Sequence, residues 1–338
     1  MQALAVKYRP KTFNEVVSQE SVIKILQKQL ELEQFKNCYL FCGASGSGKT
    51  TSARIFANLI NKGVGLPIEI DGASNNGVDN VKNIIKLAQE RAIDSKYKIF
   101  IIDECHSLTN QAWQAFLKCI EEPPQYTIFI FCTTDPQKIP QTILNRVMRF
   151  NFTRIPFEKI KSRLAYICEC EGFTNYLDTI DYIAKISDGG MRDAIAYLDK
   201  IASYSKNVCI DNALEALGNY SYSTFFNLIN AIIDGKSDSV LSILQSFYDA
   251  GNDLILFVNQ FFNFCLDINK YIIFHNMDML KIPSTMESGV QDSINFDSAN
   301  TYYSYIVDNM LNLKNMIKND ISVKATIEVM FLKMTRMQ

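Results

Sequence analysis

The run Gly43-Ala44-Ser45-Gly46-Ser47-Gly48-Lys49-Thr50 has the residue types and spacing of a phosphate cradle, G-x-x-x-x-G-K-[ST]. Glycines let the backbone curl close enough to aim its N–H groups at phosphate oxygens, and a following helix adds partial positive charge from its N-terminus. The context agrees: the apolar run Cys38–Cys42 precedes the loop, and a helical pattern from Thr51 to Leu59 follows it. Gly43, Ala44, Ser45, Gly46, Ser47, Gly48, Lys49, Thr50 and Thr51 are therefore the expected nucleotide contacts. Lys49 would reach the β- and γ-phosphates, and Thr50 would place its hydroxyl on Mg²⁺.

A second stretch, Lys98-Ile99-Phe100-Ile101-Ile102-Asp103-Glu104, is an apolar strand ending in two carboxylates. That order puts Asp103 beside a metal and lets Glu104 polarise an attacking water as general base. An acidic strand end alone is common; downstream of a phosphate loop it points to ATP hydrolysis. Thr133-Thr134-Asp135 closes the next apolar run, where a polar residue would lie between the loop strand and the acidic strand, although a simple strand cap reads equally well. Arg146 follows Pro140 and a helical turn, and Arg192 follows Gly189-Gly190 and opens a helix. Either could be a surface arginine. In an ATPase whose site lies between subunits, one would act as a finger in the neighbouring site and the other would sense nucleotide from its own lid.

The elements that must position these residues are visible as patterns. Strands are expected at Cys38–Cys42, Ile68–Asp71, Lys98–Asp103, Thr127–Cys132 and Val147–Phe152, alternating with helices at Thr50–Asn61, Asp79–Arg91 and Gln111–Glu121. Buried strands alternating with helices predict a mostly parallel sheet covered on both faces. From Pro156 the strand signals fade into three helices, Phe157–Glu171, Leu177–Ser187 and Arg192–Ser203, broken at Gly172 and at Gly189-Gly190. The remainder, from about Tyr220, keeps helical spacing with Tyr/Phe stripes suited to a core or a subunit contact. The fold class is α/β plus all-α, divided as residues 1–155, 156–218 and 219–338.

Bulk properties narrow the function. The chain has 338 residues, 48% hydrophobic and 21% charged, the balance of an ordinary globular protein. No stretch approaches the roughly 20 apolar residues of a membrane span, and no secretory signal is expected at the start, so a cytoplasmic location is expected. The net charge of −2 excludes DNA binding by overall basicity, but the charge is uneven. Residues 1–155 carry 19 Lys/Arg and 14 Asp/Glu, whereas residues 156–338 carry 15 and 22. A basic front and an acidic back suit an assembly in which only the front meets phosphate. Nine cysteines with no paired framework argue for core residues over disulfides. Cys168 and Cys170 form the one close pair, with no second pair or spaced His, so zinc is not expected.

Taken together, the motifs resemble the ATPase subunit of bacterial clamp loaders, the gamma/tau subunit of DNA polymerase III, within the AAA+ class. The resemblance rests on Tyr8-Arg9-Pro10-Lys11-Thr12-Phe13, on Gly43–Thr50, on Ile68–Val78 (IEIDGASNNGV), on Ile101–Leu108 (IIDECHSL), on Phe116–Pro124 (FLKCIEEPP), on Thr133–Leu144 (TTDPQKIPQTIL) and on Gly189–Ala194 (GGMRDA). It covers the first 200 or so residues well and the rest only in general character. It implies a RecA-like P-loop domain, a three-helix lid and a helical collar holding five subunits in a ring, with ATP and Mg²⁺ as ligands. Sliding clamp, other loader subunits and primer–template DNA would be its partners. Thr134 then resembles the first sensor, Arg146 the finger, and Arg192 the lid sensor; Val16 and Val17 resemble the strip against adenine. Ser74, Asn75 and Asn76 precede a helix and resemble the region facing DNA, though a plain N-cap serves as well.

Departures are specific. The family's four-cysteine zinc module is missing between Asn61 and Ile68, Arg146 sits in Asn-Arg-Val instead of Ser-Arg-Cys, Ser18 stands for a glycine and Cys105 for an alanine. Two other readings remain: another AAA+ DNA motor, for branch migration or helicase loading, and a non-catalytic adapter. Retention of both Lys49 and Glu104 weighs against the adapter.

Overall fold

The structure, a computed structural model, describes residues 2–317 and 322–336. The chain divides into two compact units, Met1–Leu164 with Ser187–Ala196, and Ala165–Ile186 with Tyr197–Gln338. The expected third segment, 219–338, includes residues 318–321 and 337–338, which lie outside the described residues.

The first unit is built on five parallel strands in the order β2-β3-β4-β1-β5: β1 (Cys38–Gly43), β2 (Ile68–Asp71), β3 (Lys98–Asp103), β4 (Thr127–Thr133) and β5 (Met148–Phe152). Its helices are α1 (Leu4–Lys7), α2 (Glu20–Glu31), α3 (Lys49–Ile60), α4 (Val78–Gln89), α5 (Asn110–Glu121) and the single turn α6 (Gln141–Leu144). The central strands β1, β3 and β4 read as near-continuous apolar runs because both faces are covered, as parallel crossovers require, whereas the edge strands β2 and β5 alternate apolar with exposed residues. Side chains alternate between two cores. Leu40, Phe100, Ile102, Phe129 and Phe131 face α4 and α5, where Val81, Ile84, Trp113 and Phe116 pack. Tyr39, Phe41, Ile99, Ile101, Ile130 and Phe150 face α2 and α3, where Leu26, Ala53 and Phe56 pack. Phe129 and Phe131 stack on the first face against Phe116 edge-on, with ring centroids 5.7 Å apart in both pairs.

The expected strands fall within a residue of those observed. The helix expected at Asp79–Arg91 ends at Gln89, because Glu90 turns to extended backbone (ψ 140°). The helix Glu20–Glu31 had no place in the sequence reading; its N-cap, Gln19, lies in the left-handed region and makes no side-chain cap bond, so the usual start signal is missing.

The chain continues with α7 (Phe157–Glu171), α8 (Leu177–Ile186), α9 (Met191–Tyr204) and α10 (Ile210–Leu217). The fourth of these, closed by Gly218 at φ 72°, adds to the three expected helices. Then come α11 (Tyr222–Ile233), α12 (Ser237–Asp249), α13 (Leu254–Phe274), α14 (Glu287–Ile294), α15 (Ala299–Met316) and α16 (Val323–Met334). The second unit holds its own core, in which Phe225, Phe257, Phe261, Phe264 and Phe331 pack with Tyr303, Ile306 and Met310. The Tyr/Phe stripes of the sequence thus build most of this core, while Tyr248 and Phe274 stay exposed. Among the described residues no helix is long and apolar enough to cross a membrane.

Candidate functional site

In a parallel sheet, ligands collect at the carboxyl ends of the strands. β1 ends at Gly43, β3 at Asp103 and β4 at Thr133, and β4 lies between the other two. The strand order thus brings the three motifs to one edge, with Thr133 and Thr134 between the loop strand and the acidic strand, as the sequence led us to expect.

The loop itself is tightly constrained. A Cβ on Gly43 would stand 2.4 Å from the carbonyl oxygen of Phe152 on β5, so the position accepts no side chain while β1 and β5 stay paired. Gly43→Ala is expected to lower stability by about 1–3 kcal/mol, the usual cost of forced overpacking, measurable as a lower urea midpoint with unchanged slope. Gly46 (φ 68°) and Gly48 (φ 98°) lie in the left-handed region that side chains avoid. Ala44 and Ser47 close the turn, Ser47 Oγ donating to the Ala44 carbonyl at 2.8 Å. Ser45 is exposed at the tip. α3 begins at Lys49, and its first turn, including Thr50 and Thr51, offers N–H groups that no helical carbonyl reaches.

Lys49 is 6% exposed, and its Nζ donates to the carbonyls of Gly43 and Ala44, each at 2.9 Å. Among the described residues no carboxylate lies within ion-pair distance of it, and burial holds its pKa below the ordinary lysine value. A buried ammonium paired only with neutral carbonyls is suited to receive an anion. Thr50 Oγ1 donates to Asp103 Oδ2 at 2.8 Å, which brings together two hard oxygen ligands of the kind Mg²⁺ takes. The residues present therefore fit both a nucleotide phosphate and Mg²⁺.

Glu104 follows with φ 46°, an uncommon backbone for a residue with a side chain, and Thr134 Oγ1 donates to its Oε2 at 3.2 Å. Glycine 72 explains part of this geometry: its N–H donates to the Asp103 carbonyl at 2.7 Å, and a Cβ there would lie 2.8 Å from the same oxygen. The IEIDG stretch is thereby pressed against the acidic pair.

Other expected residues fall in different surroundings. Val16 is half-buried with Cγ1 4.0 Å from where a Gly48 Cβ would stand, so it lines the loop; Val17, also half-buried, is its chain neighbour. Arg192 lies at the start of α9, whose Met191 N–H donates to the Gly46 carbonyl at 3.1 Å, so this helix end touches the loop apex. The Arg192 side chain is exposed. Arg146 is held by Glu121 of α5 at 2.7 Å and donates to the Thr142 carbonyl at 2.6 Å. Ser74 and Asn75 spend their side-chain donors on Asp71, at 2.6 and 3.0 Å, and the Ser74 hydroxyl and Ala73 amide hold the Asp71 carboxyl below its ordinary value. The N-cap of α4 is Gly77, so the plain N-cap alternative for Ser74, Asn75 and Asn76 is not realised. Asn76 is exposed.

Two residues with no expected role belong to this site. Gln19, 5% exposed, donates from Nε2 to the carbonyls of Ser47 at 3.2 Å and Thr153 at 2.7 Å, tying the loop to the end of β5. It follows Ser18, and both lie in the left-handed region, at φ 66° and 71°; the glycine expected for Ser18 was the available signal. His106 places Nδ1 3.2 Å from Glu104 Oε2 and 3.3 Å from Thr133 Oγ1. Glu121 also had no expected role, and it acts as the partner of Arg146, outside this group.

Residues 67–156 match the family described as DNA polymerase III, delta subunit. The chain is 37% identical to DNA polymerase III subunit tau of Bacillus subtilis over 274 residues, covering 75% of this chain and 49% of that protein. It is 30% identical to the gamma/tau subunit of Mycoplasma genitalium over 329 residues, covering 90% and 54%. The chain thus spans about half the length of the curated relatives it matches. The solved Thermotoga maritima RuvB Holliday junction branch migration motor shares the fold, with a TM-score of 0.53 at 18% identity over 73% of this chain and 86% of that one. That likeness shows a shared fold, and the sequence relatives support a clamp-loader subunit: over the stretch it shares with them, the chain is similar to the tau and gamma/tau subunits of DNA polymerase III.

Proposed function

We propose that the chain is the ATP-hydrolysing motor subunit of a clamp loader, acting in the cytoplasm to open a sliding clamp and place it on primer–template DNA. The observation that carries this reading is the convergence of Lys49, Thr50, Asp103, Glu104 and Thr134 at one sheet edge, with a buried ammonium that has no anionic partner among the described residues. Lys49 would leave its two carbonyls for the β- and γ-phosphates, and the N–H groups of Gly46 to Thr51 would wrap them. Val16 and Val17 would pack on the base. Thr50 and Asp103 would hold Mg²⁺, which supplies neutralisation of the charge on the phosphate oxygens when bound. Glu104 would take a proton from the attacking water while Thr134 orients its carboxylate. Arg192 would sense nucleotide from a lid formed by residues 156–218, and Arg146 would reach the site of the adjacent subunit in a ring of five held by residues 219–338. ATP binding would favour the ring closed on clamp and DNA, and hydrolysis would release it. Contacts of Ser74, Asn75 and Asn76 with DNA would read backbone and shape, hence depend on salt but little on sequence.

Glu104→Gln separates binding from chemistry. The variant in its purified assembly is expected to bind an ATP analogue with unchanged affinity while hydrolysis falls by about 10²–10⁴-fold, the usual weight of a general base. Hydrolysis at the wild-type rate would remove Glu104 from that role, and absence of hydrolysis in the wild type with clamp and DNA would remove the motor reading.

A further inference from the structure

His106 lies two residues beyond Glu104 in the short 3₁₀ segment Cys105–Ser107, and the proposed hydrolysis scheme leaves it unused. Its Nδ1 is 3.2 Å from Glu104 Oε2, and its side chain is largely buried, at 18% exposure. A carboxylate oxygen carries only lone pairs, so the imidazole nitrogen facing it must carry the hydrogen. Thr133 Oγ1 stands 3.3 Å from the same Nδ1, so the single Nδ1 hydrogen is shared between Glu104 Oε2 and this hydroxyl oxygen, which is itself anchored by accepting the Asp135 N–H at 3.0 Å. Thr134 Oγ1 approaches the same carboxylate oxygen at 3.2 Å. Oε2 therefore meets two donors from two elements, while Oε1 has no donor among the described residues.

We infer that His106 is a positioning residue: through Nδ1–H it clamps one oxygen of Glu104 so that the other faces the nucleotide site. The clamp is needed because Glu104 is 41% exposed, springs from a left-handed backbone and has three rotatable bonds to settle. A general base contributes only when its oxygen lies within hydrogen-bond reach of the proton it removes, so a freely rotating carboxylate forfeits most of its effect. His106 touches neither phosphate nor water in this scheme and acts only through Glu104. The inference rests on the reading of Glu104 as general base.

The geometry supplies its own control. In asparagine the amide nitrogen sits as many bonds from Cα as Nδ1 does in histidine, whereas glutamine carries its amide one carbon further, near the Nε2 position. His106→Ala, His106→Asn and His106→Gln should be compared with wild type as full chains in the purified assembly, measuring kcat, KM and affinity for a fluorescent ATP analogue. The expected result is that Ala and Gln lower kcat about 10–100-fold with analogue affinity unchanged, while Asn stays within about threefold of wild type. Loss of analogue binding in all three variants would assign His106 to loop structure, and equal loss of kcat with Asn and Gln would remove the Nδ1 contact; either overturns the inference. Wild-type kcat in His106→Ala does so too. A wild type that does not hydrolyse ATP at all fails the proposed function instead, so the two failures are distinguishable.

Discussion

Lys49→Ala is expected to abolish measurable nucleotide binding, weakening an ATP analogue by about 100-fold or more. Each charge-assisted hydrogen bond to phosphate is worth about 1.5–3 kcal/mol, and 1.4 kcal/mol is a factor of ten, so loss of two such bonds suffices. The structure adds a reason for the size of the effect. Burial already disfavours the Lys49 ammonium, and its present partners are two uncharged carbonyls at 2.9 Å. An incoming phosphate offers full negative charge in the same desolvated place, which strengthens the interaction relative to one in water. Whether the variant is folded can be read separately. Trp113 is the single tryptophan of the chain and is 1% exposed on α5, packed against Phe131 with ring centroids 5.4 Å apart. Its emission should be unchanged in Lys49→Ala, while titration calorimetry shows no analogue binding. Binding within a few-fold of wild type, with unchanged emission, would contradict the assignment of the loop.

Arg146→Ala should leave analogue binding intact and reduce hydrolysis in the assembled ring by about 10³–10⁵-fold, the range for a finger that stabilises charge on the transferred phosphoryl group. Its partners within the chain, Glu121 and the Thr142 carbonyl, lie apart from the residues that surround Lys49, so removing it should not disturb the chain's own loop. Nor should it unfold the protein: the Arg146–Glu121 pair is exposed at 39% and 46%, and such pairs contribute about 0–1 kcal/mol. Glu121→Gln frees the arginine without removing it and should cost hydrolysis less than Arg146→Ala. Normal hydrolysis by Arg146→Ala in an assembly of verified composition would refute the finger role.

What the sequence made legible follows from how local each cause is. β1, β3 and β4 were readable because each is apolar on both faces, the edge strands β2 and β5 because their apolar residues alternate with exposed ones such as Glu69 and Arg149, and the loop because its glycines and Lys49 form a contiguous run. The helix Glu20–Glu31 was not readable, since it starts from a left-handed Gln19 with no capping bond, and its burial of Val22 and Leu26 depends on a sheet formed later in the chain. The role of Gln19 itself needs Thr153, 134 residues away. His106 could be seen in the IIDECHSL motif, but only the adjacency of β3 and β4 brings Thr133 to its ring. The pairing of Arg146 with Glu121 similarly requires α5 and α6 to meet. Ser74 and Asn75 show the opposite case: the local sequence suggested a helix cap, and the competing acceptors of Asp71, three and four residues back, claimed their side chains.

The central claim, a motor subunit working in a ring of five, is tested most directly by weighing the intact assembly. The tagged full chain should be purified from its source cells and its complex analysed by native mass spectrometry in the presence of a non-hydrolysable ATP analogue. A five-subunit assembly with bound analogue, carrying a ring-shaped clamp, is the predicted result. A closed homohexamer without clamp would contradict it and identify a translocating DNA motor instead.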